Sequence, residues 1–173
     1  MLKPAAFIDR DGTLIEEVNF LSKVEDLVVF PYTAEALKLL KDAGFLIVVV
    51  TNQSGIGRGL FNEAAMNAIH TGMQDRLAGA IDAFYFCPHL PDEGCECRKP
   101  GVGMINTACD ELPIERSRSW MIGDKSIDIT TGRNAGMKTA MVMTGYGRLH
   151  FELIDEPADI VADDLLEAVR KIV

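Results

Sequence analysis

Apolar residues fall along this chain in two alternating patterns. The first is a short, mostly apolar run: Ala5–Ile8, Phe45–Val50, Ala83–Phe86, Ser119–Ile122, Lys138–Met143 and Ile160–Val161. Runs of this length, rich in β-branched residues where they are longest, predict strands buried on both faces. The second pattern has helical period. Thr33 to about Ala43 reads as a helix capped by Thr33, with Glu35 in its first turn and Gly44 past its end. Asn62 opens another helix, whose Met66, Ile69, Met73 and Leu77 share a face. Val102–Leu112 and Ile127–Ala135 also read as helical. Asp163 reads as the cap of a last helix with Leu165, Val169 and Ile172 on its apolar side. Strands alternating with helices imply right-handed βαβ units. The predicted fold is α/β, a doubly wound and mainly parallel sheet with helices on both faces. The 173 residues suit one domain over 1–173, and no repeat, linker or low-complexity segment divides them.

In such a sheet, ligands bind at the carboxyl ends of the strands. The polar clusters of this chain all follow predicted strands. Asp9-Arg10-Asp11-Gly12-Thr13 follows the first, Thr51-Asn52-Gln53-Ser54-Gly55 the second, Arg98-Lys99 the third, and Gly123-Asp124-Lys125 the fourth. All four converge on one rim. Strand alternation predicts Asp9 and Asp11 on one side, with Arg10 pointing away. Two close carboxylates repel unless a cation or a shared proton relieves them. With Asp124 as a third, carboxylate or carbonyl oxygens at this rim suit Mg²⁺.

A second signal is Cys87-Pro88-His89-Leu90-Pro91-Asp92-Glu93-Gly94-Cys95-Glu96-Cys97. Cys87, His89, Cys95 and Cys97 offer three sulfurs and one imidazole, which can close a tetrahedral Zn²⁺ site. No ligand position is left open, so such a zinc would be structural. Arg98 and Lys99 follow Cys97 directly, so the zinc loop would fix the backbone that presents both cations. The fourth cysteine, Cys109, reads as a small core residue. The composition narrows the partners. A net charge of −9 argues against nucleic acid. No apolar run approaches the roughly 18 residues of a membrane span. The start lacks a secretory h-region, which predicts a cytoplasmic protein.

Asp9-Arg10-Asp11-Gly12-Thr13-Leu14 resembles the first motif of the haloacid dehalogenase-like phosphatases, and Thr51, Lys99 and Asp124 match the second, third and fourth. The resemblance spans nearly the whole chain. It implies a minimal cap, because the segments between motifs leave room only for loops and single helices. It makes Asp9 the nucleophile and Asp11 the acid–base residue. Thr51 and Lys99 would hold the phosphoryl group, and Lys125 and Asp128 would support the rim, although each reads equally well as a surface helix residue. Asp9, the Asp11 carbonyl and Asp124 would bind Mg²⁺. Thr51 through Gly59 and Cys95 through Pro100 are similar to the branch acting on D-glycero-D-manno-heptose 1,7-bisphosphate, in nucleotide-heptose synthesis for surface glycans. The short zinc loop and Gly57 keep open the neighbouring branch acting on histidinol phosphate. The resemblance places Glu17, Val18, Asn19 and Phe20 in a flap over a small phosphorylated sugar. It puts Asn52, Gln53, Ser54, Arg58 and Lys125 at the substrate, and Arg98 on a second phosphate or on sugar hydroxyls. Phe20 reads equally as core, and Arg58 otherwise as a solvated loop residue. His70 and His150 read as surface and Trp120 as core. The expected state is a monomer with no nucleic-acid or membrane partner.

Overall fold

The computed structural model describes residues 1–173. Six strands, β1 (Ala5–Ile8), β2 (Leu46–Asn52), β3 (Ala83–Cys87), β4 (Trp120–Gly123), β5 (Lys138–Val142) and β6 (Ile160–Ala162), form one sheet. Their order is β3-β2-β1-β4-β5-β6, and every neighbouring pair is parallel. The chain starts at the centre, winds outward to β3, then crosses to β4. Ile8 therefore lies between Val49 and Ile122, and a crevice opens where the winding reverses.

Seven helices connect the strands: α1 (Thr33–Asp42), α2 (Ser54–Gly57), α3 (Glu63–Arg76), α4 (Gly103–Glu111), α5 (Ser126–Asn134), α6 (Gly147–His150) and α7 (Leu165–Ile172). The pleat divides each strand between two cores. Ala6, Ile8, Ile47 and Val49 pack with Leu37, Leu40, Ile69, Met73, Leu165 and Val169 on one face. Ala5, Phe7, Val48, Val50 and Met121 pack with Met104 and Ile105 on the other. Both faces are covered, which is why the strands read as continuous apolar runs rather than alternating ones. No helix is long and apolar enough to cross a membrane.

Several local expectations change. Thr33 does not cap α1; it is the first helical residue, and its hydroxyl donates to the Leu14 carbonyl at 2.8 Å, tying the helix to the loop after β1. Asp164, not Asp163, caps α7 by accepting from the Glu167 N–H, while the Asp163 N–H donates to the Glu167 carboxylate. Asn62 caps α3 as expected. His70 is buried, not on the surface. It follows Met66 by four residues and precedes Met73 by three, so it stands on the apolar stripe of α3. Trp120 is half-buried, with the Lys138 amine over its ring. The short helices α2 and α6 have no apolar period and were invisible to the pattern.

Candidate active site

β1 ends at Ile8, and the next residues turn at once. The Arg10 carbonyl accepts from the N–H groups of Thr13, Leu14 and Ile15, and the Gly12 N–H donates to the Ile15 carbonyl. Gly12 adopts φ +85°, and a Cβ there would run into the Asp124 carboxylate. The turn therefore departs from strand alternation. Arg10 does not point away from the site. It is buried, and its Nε and Nη2 donate to the two oxygens of Asp11 at 2.9 and 3.0 Å.

Lys99 stands at the centre. Only 3% exposed, its Nζ donates to Asp9 Oδ1 at 2.8 Å, to Asp128 Oδ1 at 2.6 Å and to the Val50 carbonyl at 3.0 Å. All three ammonium donors are used. Burial alone would lower the Lys99 pKa, but Asp128 and Asp9 outweigh it and raise it. Burial pushes the Asp9 carboxyl up, and Lys99 and Lys125 overcome that and hold it below its ordinary value. Asp9 thus stays ionised. Asp128 is wholly buried; burial takes its pKa up to about 6 against the pull of Lys99. The sequence left Asp128 as a rim or surface residue, and the structure makes it the second anchor of Lys99. Its other oxygen accepts from the Lys125 N–H.

Asp9, Asp124 and Asp128 bring carboxylate oxygens within 4.8 Å of one another. The Asp11 carboxylate is not among them; it is held by Arg10 and by Gln53 Nε2 at 3.0 Å. Asp124 is fully buried. Its Oδ2 accepts from the Tyr146 N–H, and its Oδ1 has no hydrogen-bond partner. Burial first, then the charges of Asp9 and Asp128, push its pKa up to about 8. A buried carboxylate oxygen without a partner, facing a second carboxylate, is the arrangement a hard cation relieves.

The remaining expected residues divide into groups. Thr51 Oγ1 accepts from Gln53 Nε2 at 2.8 Å, so its own proton is free to donate. The Asn52 side chain grips the Lys99 backbone at both N–H and carbonyl, at 3.0 and 3.2 Å. A pocket of about 320 Å³ lies over the crevice, lined by residues that include Glu17, Val18, Asn19, Phe20, Asn52, Gln53, Ser54, Arg98 and Lys125. Phe20 is exposed on its wall rather than packed in the core. Arg58 lies outside the lining; it is exposed, with its guanidinium 5.9 Å from the Phe20 ring centre. Lys125 pairs with Glu17 at 3.3 Å, and Arg10 with Asp11. Arg98 is the cation of the lining that pairs with no carboxylate; its Nη1 donates to the His89 carbonyl at 3.2 Å. Tyr146 also lines the pocket, and sequence reasoning missed it. Thr144-Gly145-Tyr146 follows β5, so the rule that located the other clusters extends to it.

Beside the pocket, Cys87, His89, Cys95 and Cys97 converge within 4.8 Å. The Cys95 sulfur lies 3.6 Å from those of Cys87 and Cys97, and His89 Nδ1 lies 3.4 and 3.2 Å from those two sulfurs. Metal–sulfur bonds of about 2.3 Å in a tetrahedron place sulfurs about 3.8 Å apart, so the donor set has the shape of a closed metal site. Cys109 stands apart, half-buried against the second core.

Residues 96–168 match the HAD-hydrolase-like family model. The chain is 38% identical to a D-glycero-D-manno-heptose-1,7-bisphosphate 7-phosphatase of Thermosynechococcus vestitus, over 98% of this chain and 95% of that one. It is 37% identical to a D-glycero-beta-D-manno-heptose-1,7-bisphosphate 7-phosphatase of Haemophilus ducreyi, over 98% of both. It superposes on the crystal structure of the D,D-heptose 1,7-bisphosphate phosphatase from B. bronchiseptica complexed with magnesium and phosphate. There the TM-score is 0.89 and the identity 33%, over 97% of both chains.

Proposed function

The chain belongs to the family of D-glycero-D-manno-heptose-1,7-bisphosphate 7-phosphatases, among the haloacid dehalogenase-like hydrolases, and from that premise we propose that it removes the 7-phosphate of a heptose 1,7-bisphosphate by way of an aspartyl-phosphate. The observation that carries this reading is the ionised Asp9, directly past the end of β1, beside the buried ammonium of Lys99. An Asp9 oxygen attacks phosphorus as the bond to the sugar oxygen breaks. The Asp11 carboxyl gives its proton to the departing alkoxide. Asp11, now a carboxylate, takes a proton from water, whose oxygen attacks phosphorus and frees Asp9 and inorganic phosphate. The Thr51 hydroxyl donates to an equatorial phosphoryl oxygen, and the Lys99 ammonium, its donors taken, orients Asp9 and offsets the charge spread over those oxygens in the transition state.

Asp9, Asp124 and the Asp11 carbonyl would hold Mg²⁺, and the partnerless Asp124 Oδ1 fits that role. When bound, the ion neutralises charge so that a carboxylate can approach an anionic phosphate. Magnesium and phosphate accompany the related enzyme of B. bronchiseptica. Cys87, His89, Cys95 and Cys97 would hold Zn²⁺ with no open position, a structural site. It would fix the His89 carbonyl that holds Arg98, and the backbone leading into Lys99.

The direct test is phosphate release from D-glycero-D-manno-heptose 1,7-bisphosphate and from histidinol phosphate, each with Mg²⁺. The heptose substrate is expected to exceed the other by about 100-fold or more in kcat/KM, because specific polar contacts reject analogues strongly. Comparable values on both would overturn the substrate assignment. Arg98 offers a finer test. As the cation with no carboxylate partner, it is free for the second phosphate. Arg98→Ala is expected to raise KM for the bisphosphate about 10- to 100-fold, the loss of a charge-assisted hydrogen bond. KM for a monophosphate of the same sugar should stay nearly unchanged. Equal losses on both would remove Arg98 from the second phosphate.

The zinc site predicts a coupling to catalysis. Cys97→Ser should lower zinc content, measured by metal analysis of the purified protein. It should also raise KM, since the loop leads into Arg98 and Lys99, and it should lower the melting temperature, since Cys97 packs against the second core. Full activity with unchanged KM in a folded, zinc-free variant would break the link.

A further inference from the structure

We propose that His70 is a positioning residue of the phosphatase reaction, setting the direction of Asp11 through Arg10. The proposal rests on the acid–base reading of Asp11 given above. Arg10 is 1% exposed, and a guanidinium so buried must have its N–H groups met and its plane defined. The Nε and Nη2 edge meets Asp11. Two bonds to one carboxylate leave that pair free to tilt as a unit. The third contact removes that freedom: Arg10 Nη1 reaches His70 Nε2 at 3.4 Å.

His70 suits this task. Burial first, then the nearby Arg10 charge, take its pKa down to about 3, so the ring is neutral at working pH. A neutral imidazole with its proton on Nδ1 offers a lone pair at Nε2, which an arginine N–H requires. The ring itself cannot swing. Phe84 of β3 stacks on it with centroids 4.3 Å apart and planes 16° apart. Support thus runs from the edge strand, through a helix residue, through Arg10, to the carboxylate. Gln53 Nε2 braces the same carboxylate and ties it to Thr51. Proton transfer to an alkoxide depends on the approach of the donor oxygen, and a displacement of order 1 Å can cost about 100-fold.

A residue that only fills the core would slow every substrate alike. A residue that aims the acid acts selectively. A sugar alkoxide needs the proton of Asp11 as it leaves, whereas p-nitrophenolate leaves without one. The test is therefore the ratio of kcat/KM on the heptose bisphosphate to kcat/KM on p-nitrophenyl phosphate, which reports the departure of the leaving group and not the later attack of water that both substrates share. Each variant is measured on one preparation, so partial unfolding cancels. His70→Phe keeps the stack on Phe84 and deletes the acceptor; His70→Gln puts an acceptor back. His70→Phe is expected to lower the ratio about tenfold, a fraction of the 10²- to 10⁴-fold of a whole acid. His70→Gln should recover most of the loss. Should His70→Phe fail to fold, the Gln and Asn variants carry the comparison, since the shorter Asn cannot reach Arg10 and should lower the ratio. Asp11→Asn is the control and should lower the ratio more than any of them. An unchanged ratio in Asp11→Asn would overturn the acid–base reading, and the role of His70 with it. A lowered ratio in Asp11→Asn beside wild-type ratios in the folded His70 variants would overturn His70 alone.

Discussion

Asp9→Asn is expected to fold as the wild type does and to lose turnover by about 10⁴-fold or more, the scale on which removal of a nucleophile acts. The amide nitrogen and oxygen have no charge to give phosphorus, so no covalent intermediate can form. The fold should survive because the structure gives Lys99 two other partners, Asp128 and the Val50 carbonyl. The substitution also removes a repulsion. Part of the upward push on Asp124 and Asp128 comes from the Asp9 charge, so the variant should melt no lower than the wild type. Acid-quench trapping of phosphoenzyme from labelled substrate, with thermal melting beside it, checks both halves. Residual turnover within about tenfold of the wild type would remove Asp9 as nucleophile.

Lys99→Met should act in the opposite sense on stability. The side chain is almost the same length, but it leaves Asp9 and Asp128 buried without their cation. Breaking a buried ion pair from one side costs about 3–5 kcal/mol. The loss should depend on pH. Asp128 titrates near 6 even with Lys99 beside it, because burial already raises it. Without the cation, Asp128 moves further up and only Lys125 still opposes the push of burial on Asp9, and a carboxyl raised in the folded state adds stability below its unfolded pKa and loses it as pH rises through the folded one. Lys99→Met should therefore melt higher near pH 5 than near pH 8. In the wild type Lys99 stays charged throughout that range, so its own contribution is constant there. Turnover should fall by about 10²- to 10³-fold, the scale of one lost transition-state electrostatic contact. A melting temperature close to wild type at pH 8 would mean that the two carboxylates do not depend on Lys99.

The same residues show how far the chain can be read without its fold. The strands were legible because burial on both faces leaves an unbroken apolar run, and Phe45–Val50 maps onto β2 with a shift of one or two residues. The rule of strand ends then collected Asp9, Thr51, Lys99 and Asp124 from distant stretches, and the structure sets them around one crevice. The cysteines and histidine were legible from spacing alone. Three features were not. Alternation failed after Ile8 because the backbone turns there, so Arg10 faces Asp11 rather than the opposite side. Arg58 stands outside the pocket, against Phe20, because α2 carries it past the rim. His70 carried a signal in its spacing to Met66 and Met73, but a polar residue on an apolar stripe gives no hint of its partner.

The sequence by itself determined the order of strands and helices along the chain, the strand ends at which the polar clusters gather, the grouping of three cysteines with a histidine, and the absence of a large cap. All of these depend on short-range pattern: burial periodicity, a turn after a strand, cysteines eight or ten residues apart, and the short segments between the clusters. Only the tertiary structure decided that Asp128 anchors Lys99, that Asn52 holds the Lys99 backbone, and that Arg10 links Asp11 to a helix on the far side of β2. Those pairings join residues 29 to 60 positions apart. A buried charge takes whichever partner the packing brings within about 3 Å, and that choice is made by the crossing of helices and strands rather than by neighbours in the chain.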